Sequence, residues 1–175
     1  MKLDKNTLQL LVFTDAAFAN NKDLLSQMGA LLVAANTNND ANILYWVFIK
    51  CKRIIRSVLA SELLRIVHGF DIVYLVKTTL DLILNKDVLL IIYTDSKSLY
   101  DCLVKLGITQ EKRLIIDVIS MREAYKRREI AQVKWIAGKS NPADSMTKTK
   151  PTNALKTLID TNKIDIQVQE WVERI

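Results

Sequence analysis

The chain has 175 residues, 50% of them hydrophobic and 25% charged, with only four Gly and two Pro. That length supports one domain with a substantial core, and the composition excludes disordered, collagen-like and linker-rich chains. The net charge of +6 favours a polyanionic partner, nucleic acid or an acidic membrane surface, without proving one.

Leu8–Thr14 is an apolar run ending on Asp15. Gln27–Ala35 and Ile43–Cys51 are two further strand candidates, separated by the polar turn Asn36-Thr37-Asn38-Asn39-Asp40. Three strands joined by short polar turns predict an antiparallel meander. Ser57 is an N-cap for a long helix over Val58–Leu84, whose single Gly69 is a place for it to bend or break. Val88–Tyr93 is an unbroken apolar run, the pattern of a strand buried on both faces, and it ends at Thr94-Asp95. Helices over Ser96–Leu106 and Gln110–Arg128 follow, the second with apolar residues at helical spacing. Gln132–Ala137 is a strand, Asn141–Lys148 a short helical turn, Thr152–Thr161 a helix, and the alternating tail Ile164–Val172 a possible last strand. The late alternation of strand and helix favours a mixed sheet with helices on its faces.

Two strands therefore end alike, on Asp15 and on Asp95, at the carboxyl edge where open α/β sheets bind ligands. Glu62 lies near the start of the long helix and Asp144 near the start of the late helical turn. Four carboxylates in one cleft would raise one another's pKa values and stay ionised together only with compensating cations. Hard oxygen donors suit Mg²⁺ or Mn²⁺, and a pair of such ions can align a water and a leaving oxygen on a phosphate. The same residues have plainer readings. An Asp after a strand is a common turn former, Glu62 and Arg65 fit a solvated helix face, and Asp144 fits a cap.

The motifs Thr14-Asp15-Ala16-Ala17-Phe18-Ala19, Arg56-Ser57-Val58-Leu59-Ala60-Ser61-Glu62-Leu63, Tyr93-Thr94-Asp95-Ser96-Lys97-Ser98-Leu99 and Asn141-Pro142-Ala143-Asp144-Ser145-Met146-Thr147-Lys148 occur in an order that resembles a known family. It is the ribonuclease H domain at the C-terminus of copia-type retrotransposon polyproteins, notably fungal ones. The resemblance implies an α/β ribonuclease H-like fold with a five-stranded mixed sheet, three antiparallel strands and then two parallel ones, flanked by helices. It implies a single domain over residues 1–175, with a core of about 8–150 and a C-terminal helix and possible strand over 151–175. The implied activity is hydrolysis of the RNA strand of an RNA–DNA hybrid with two Mg²⁺ ions, for which Mn²⁺ could substitute. Asp15 would bridge both ions, Glu62 and Asp95 would hold the ion near the leaving group, and Asp144 the ion that activates water. The loop Ile136-Ala137-Gly138-Lys139-Ser140 lacks the His that cellular relatives carry. No polymerase or protease motif is present, so a catalytically inactive binding or interaction relic is the alternative.

Lys50, Lys52, Arg53 and Arg56, just before the Glu62 helix, are candidates for phosphate contacts, as are Arg122, Lys126, Arg127, Arg128 and Lys139. The reverse transcriptase domain of the same polyprotein is a candidate partner. Trp46, Trp135 and Trp171 read as core or edge packing. His68 should point roughly 120° away from the Glu62 face, with partial burial and no chemical role. Cys51 and Cys102 lack a Cys or His at ligand spacing and read as reduced thiols. No uncharged apolar run reaches about 18 residues, so no membrane span is expected. Leu8–Phe13, with Asp15 close behind, is too short for a signal peptide. These features predict an intracellular protein, cytoplasmic (in a virus-like particle) or nuclear.

Overall fold

A computed structural model describes residues 2–17, 26–51, 55, 57–105, 111–148, 150 and 152–172. The strands are β1 (Gln9–Ala17), β2 (Gln27–Ala35), β3 (Ala41–Lys50), β4 (Leu89–Thr94), β5 (Gln132–Ile136) and β6 (Val168–Trp171). The helices are α1 (Val58–Leu84), α2 (Lys97–Val104), α3 (Ile115–Lys126) and α4 (Ala154–Thr161), with short 3₁₀ turns at Lys112–Leu114, Gly138–Ser140 and Pro142–Met146.

One mixed sheet runs in the order β3-β2-β1-β4-β5-β6. The first three strands form the expected antiparallel meander, and β1, β4 and β5 run parallel. The sheet has six strands rather than five. The alternating tail contributes β6, antiparallel to the outer edge of β5, where it satisfies backbone groups that a five-stranded sheet would leave open.

Alternate residues of the central strands divide the core in two. Leu10, Val12, Leu90 and Ile92 pack beneath α1, α2 and α3. Leu11, Phe13, Ile91 and Tyr93 face the other way, against Ala143, Leu158 and Ile164. There Phe13 and Tyr93, paired in register, stack with ring centroids 4.9 Å apart. Burial on both faces is why β1 and β4 read as unbroken apolar runs.

α1 continues through Gly69 without a break. Gly69 lies against β1: a Cβ there would stand 3.7 Å from Thr14 Cγ2 and from Val12 Cγ1. The glycine therefore marks close helix–sheet packing. Of the predicted helix Gln110–Arg128, Gln110 lies outside the described residues, and the rest is a 3₁₀ turn leading into α3, which ends at Lys126. Cys51 and Cys102 are buried and unpaired. Among the described residues, no helix is long and apolar enough to cross a membrane.

Two expectations fail at the surface. Trp46 is 66% exposed, and with Leu44 and Phe48 it forms an apolar row along β3. β3 is the edge strand, and none of the described residues covers that row. His68 is exposed rather than partly buried, because α1 shows the sheet the face carrying Glu62, Ile66, Gly69 and Val73.

Candidate functional site

Four segments converge at the carboxyl end of β1 and β4. Asp15 is near the end of β1 and Asp95 directly follows β4. Glu62 sits in the second turn of α1, whose start is fixed by Ser57 accepting from the Ala60 N–H at 3.1 Å. Asp15, Glu62 and Asp95 each offer a carboxylate oxygen, and these atoms lie within 4.8 Å of one another.

Asp144 reaches the same region on the Pro142–Met146 turn. Asn141 caps this turn, its side chain accepting from the Ala143 N–H at 3.1 Å. Its amide also donates to the Thr14 carbonyl at 2.9 Å and hydrogen-bonds Asp95. A single buried Asn thus ties the turn to the ends of both acid-bearing strands. Pro142 at the first helical position is preorganised for the turn.

Gly29 is the residue that sequence reading missed. It pairs with Asp15 in the β1–β2 register. A Cβ on Gly29 would stand 2.9 Å from Met146 Cβ, 3.2 Å from Thr147 Cγ2 and 3.3 Å from the Ala143 carbonyl oxygen. The sheet accepts the Asp144 turn only because this position has no side chain. A glycine inside an otherwise apolar strand was the available signal. Gly29→Ala is expected to displace the turn and cost about 1–3 kcal/mol, the usual range for overpacking. Chemical denaturation measures this; a variant as stable as the parent would show that the turn has room to move.

The electrostatics are those of acids crowded out of water. Burial, reinforced by the charge of Asp95, raises Asp15 to about 7, although Lys148 opposes the shift. Burial, then Asp95 and Asp15, raises Glu62 to about 9, against a hydrogen bond from the Ala16 N–H. Asp95 is also raised, chiefly by burial, while Lys148, a backbone N–H and Asn141 hold it back. Glu62 Oε2 is buried with no hydrogen-bond partner. Three converging oxygen donors, raised carboxyl pKa values and a partnerless buried carboxylate oxygen fit a hard divalent cation, which would offset the repulsion.

The plainer readings of these acids do not hold. Glu62 and Arg65 are both buried, so they do not share a solvated face. Arg65 donates to the Val47 carbonyl at 3.4 Å, and burial lowers it to about 10 although Tyr45 and Glu62 oppose the shift. Asp144 caps nothing in its own turn, where Asn141 has that role.

The basic candidates divide by position. Lys50 is exposed at the end of β3, while Lys52, Arg53 and Arg56 lie outside the described residues. Lys139 is exposed beside Gly138, whose Cβ position would be 3.4 Å from Asp95 Oδ2. Arg122 is held by the Cys102 carbonyl, with Nε at 2.9 Å. Lys126 is exposed near Glu123, and Arg127 pairs with Glu129. Arg128, with φ 63°, lines a cleft with Gln9 and Leu89, the opening residues of β1 and β4. That cleft is at the end of the sheet away from the carboxylates. The Trp135 indole N–H donates to the Asp95 carbonyl at 3.2 Å, so this tryptophan supports the site from the side.

No known family's sequence profile matches the chain, and no curated protein matches it. Solved structures do. LC11-RNase H1 in complex with an RNA/DNA hybrid, from a protein isolated from compost by a metagenomic approach, superposes with a TM-score of 0.61 at 13% identity, covering 84% of this chain and 99% of that one. RNase H1 from the halophilic archaeon Halobacterium salinarum NRC-1 gives a TM-score of 0.57 at 14% identity, covering 85% and 98%. The N-terminal RNase H domain of rv2228c from Mycobacterium tuberculosis, solved as a fusion with maltose binding protein, gives 0.54 at 13% identity, covering 89% and 99%. At such identities the likeness is one of architecture: the chain has the ribonuclease H-like fold.

Proposed function

We propose that this chain is a divalent-metal-dependent endoribonuclease that hydrolyses the RNA strand of RNA–DNA hybrids, and that it derives from a copia-type retrotransposon polyprotein. The observation that carries the reading is the convergence of Asp15, Glu62 and Asp95 from three separate elements, with one Glu62 oxygen buried and partnerless. The hybrid bound by LC11-RNase H1 supports the substrate class, and the ordered copia-type motifs support the origin.

In this reading Asp15, Glu62 and Asp95 would hold one ion, and Asp15 and Asp144 would hold a second. When bound, Mg²⁺ supplies Lewis acidity, which acidifies the attacking water and neutralises charge developing on the scissile phosphate. Asn141 holds the Asp144 turn against β1, and Trp135 holds the Asp95 backbone. Water adds to phosphorus and the P–O3′ bond breaks, leaving 3′-hydroxyl and 5′-phosphate ends. Lys50 and Lys139, both exposed, are suited to contact phosphates of the hybrid. Lys52, Arg53 and Arg56, next to Lys50 in sequence, are assigned phosphates of the same stretch, and Arg122, Lys126, Arg127 and Arg128 the more distant backbone. The reading treats 1–175 as one domain, with the reverse transcriptase domain of the polyprotein as its partner and Mn²⁺ as an alternative ion. Its place of action is a cytoplasmic virus-like particle or the nucleus.

A non-catalytic interaction relic is the second reading, favoured by the uncovered Leu44, Trp46 and Phe48 on β3. Incubating an end-labelled RNA–DNA hybrid with the protein and Mg²⁺ or Mn²⁺ separates the two. Internal cuts in the RNA strand alone, abolished by EDTA, are expected. An intact hybrid under both ions would leave the relic.

A further inference from the structure

The four carboxylates are not in equivalent states. Glu62 has a buried oxygen with no partner. Asp144 is equally buried but saturated by the protein itself. Its Oδ2 accepts from the Thr152 N–H at 3.1 Å, and its Oδ1 is paired with the Lys148 ammonium. The same ammonium stands 3.9 Å from Asp15 Oδ1, while the Thr147 hydroxyl donates to Asp15 Oδ2. The backbone sets this up: the Lys148 N–H donates to the Asp144 carbonyl at 3.1 Å, so one turn carries the acid and its counter-ion.

We infer that Lys148 is an internal cation occupying the Asp15–Asp144 side of the site, so that the protein takes up one divalent ion readily, at Asp15, Glu62 and Asp95, and a second only in competition with Lys148. The inference rests on the two-ion reading above. Its physical basis is charge compensation. A buried carboxylate with both oxygens paired, one to an ammonium and one to a backbone N–H, gains less from a new cation than one with a buried oxygen left unpartnered. The displacement is feasible because the Lys148 side chain is 46% exposed and can turn to water without leaving its charge buried. Lys148 is thus a positioning residue: it holds Asp144 toward Asp15 when the ion is absent and sets the concentration at which the second ion enters.

The test is Mn²⁺ binding to the full chain without nucleic acid, at fixed pH and ionic strength, followed calorimetrically and by water-proton relaxation. The parent is expected to show one tighter and one weaker site. Lys148→Met should tighten the weaker site about tenfold, equivalent to about 1.4 kcal/mol, and the tighter one by less, because the ammonium is paired with Asp144 and stands farther from Asp15. Lys148→Arg, which keeps the charge, should behave like the parent, and Asp144→Asn should lose the weaker site. Circular dichroism confirms folding of each, and Lys148→Gln replaces the Met variant if that one misfolds. A weaker site unmoved in the neutral variants, with two ions still bound, would overturn the role of Lys148 and leave the nuclease reading intact. Absence of Mn²⁺ binding by the parent would overturn both.

Discussion

Asp15→Asn is expected to slow cleavage of a hybrid at least about a thousandfold, the upper end of what one charge-stabilising group contributes, while leaving hybrid affinity nearly unchanged. Asp15 is the acid shared by both proposed ions, and its oxygens already face Lys148 and Thr147 on one side and the Glu62–Asp95 pair on the other. An amide keeps the shape but removes the charge that draws cations together. The same change should stabilise the metal-free protein at pH 8, where the buried Asp15 is ionised, and much less at pH 5, where it is already neutral, given its pKa of about 7. Single-turnover cleavage and urea melts at the two pH values measure both effects. Near-parental cleavage would remove Asp15 from the bridging role.

The metal-free protein is expected to lose stability as pH rises from about 5 to about 9. The direction follows from linkage. Asp15 and Glu62 rise from 3.8 and 4.5 to about 7 and about 9, so in this window the folded chain binds more protons than the unfolded one. Its stability therefore falls until Glu62 has ionised. Each tenfold gain in one group's proton affinity on folding is worth about 1.4 kcal/mol, so the combined loss is on the order of several kcal/mol. Divalent ions should restore most of it at pH 8 and little at pH 5, where protons already neutralise the cluster. Denaturation in EDTA at several pH values, repeated with Mg²⁺, measures this. A flat or rising profile in EDTA would mean that the three acids are not crowded as described.

Divalent ions and protons thus relieve the same repulsion, and Lys148 is a third means of doing so, paired with Asp144 and acting more weakly on Asp15 and Asp95. In the proposed reading the site would have a graded charge balance: protonation at low pH, the lysine where only a first ion is bound, and two ions where divalent cations are abundant.

Much of this was legible along the chain. The apolar runs before Asp15 and Asp95 announce strands buried on both faces, and such strands carry their last polar residue to the sheet's carboxyl edge. The Ser57 cap and the absence of Pro over Val58–Leu84 determine α1 and the place of Glu62 on it. Asn141-Pro142 specifies a tight turn with Asp144 inside it, through local hydrogen bonds and a fixed φ. These features depend on residues within a turn or two of each other, and sequence encodes that range directly. Tertiary structure alone decided the rest: the pairing of the tail strand onto β5, the exposure of Trp46 and His68, the demand for no side chain at Gly29, and the contrast between Glu62, with one oxygen unpartnered, and the paired Asp144. Each of these is set by which distant segment lies opposite, and by the space and charge left when it arrives. Glu62 and Asp144 are the same kind of acid in sequence, and only the groups brought to them in three dimensions leave one open to a cation and make the other a closed ion pair.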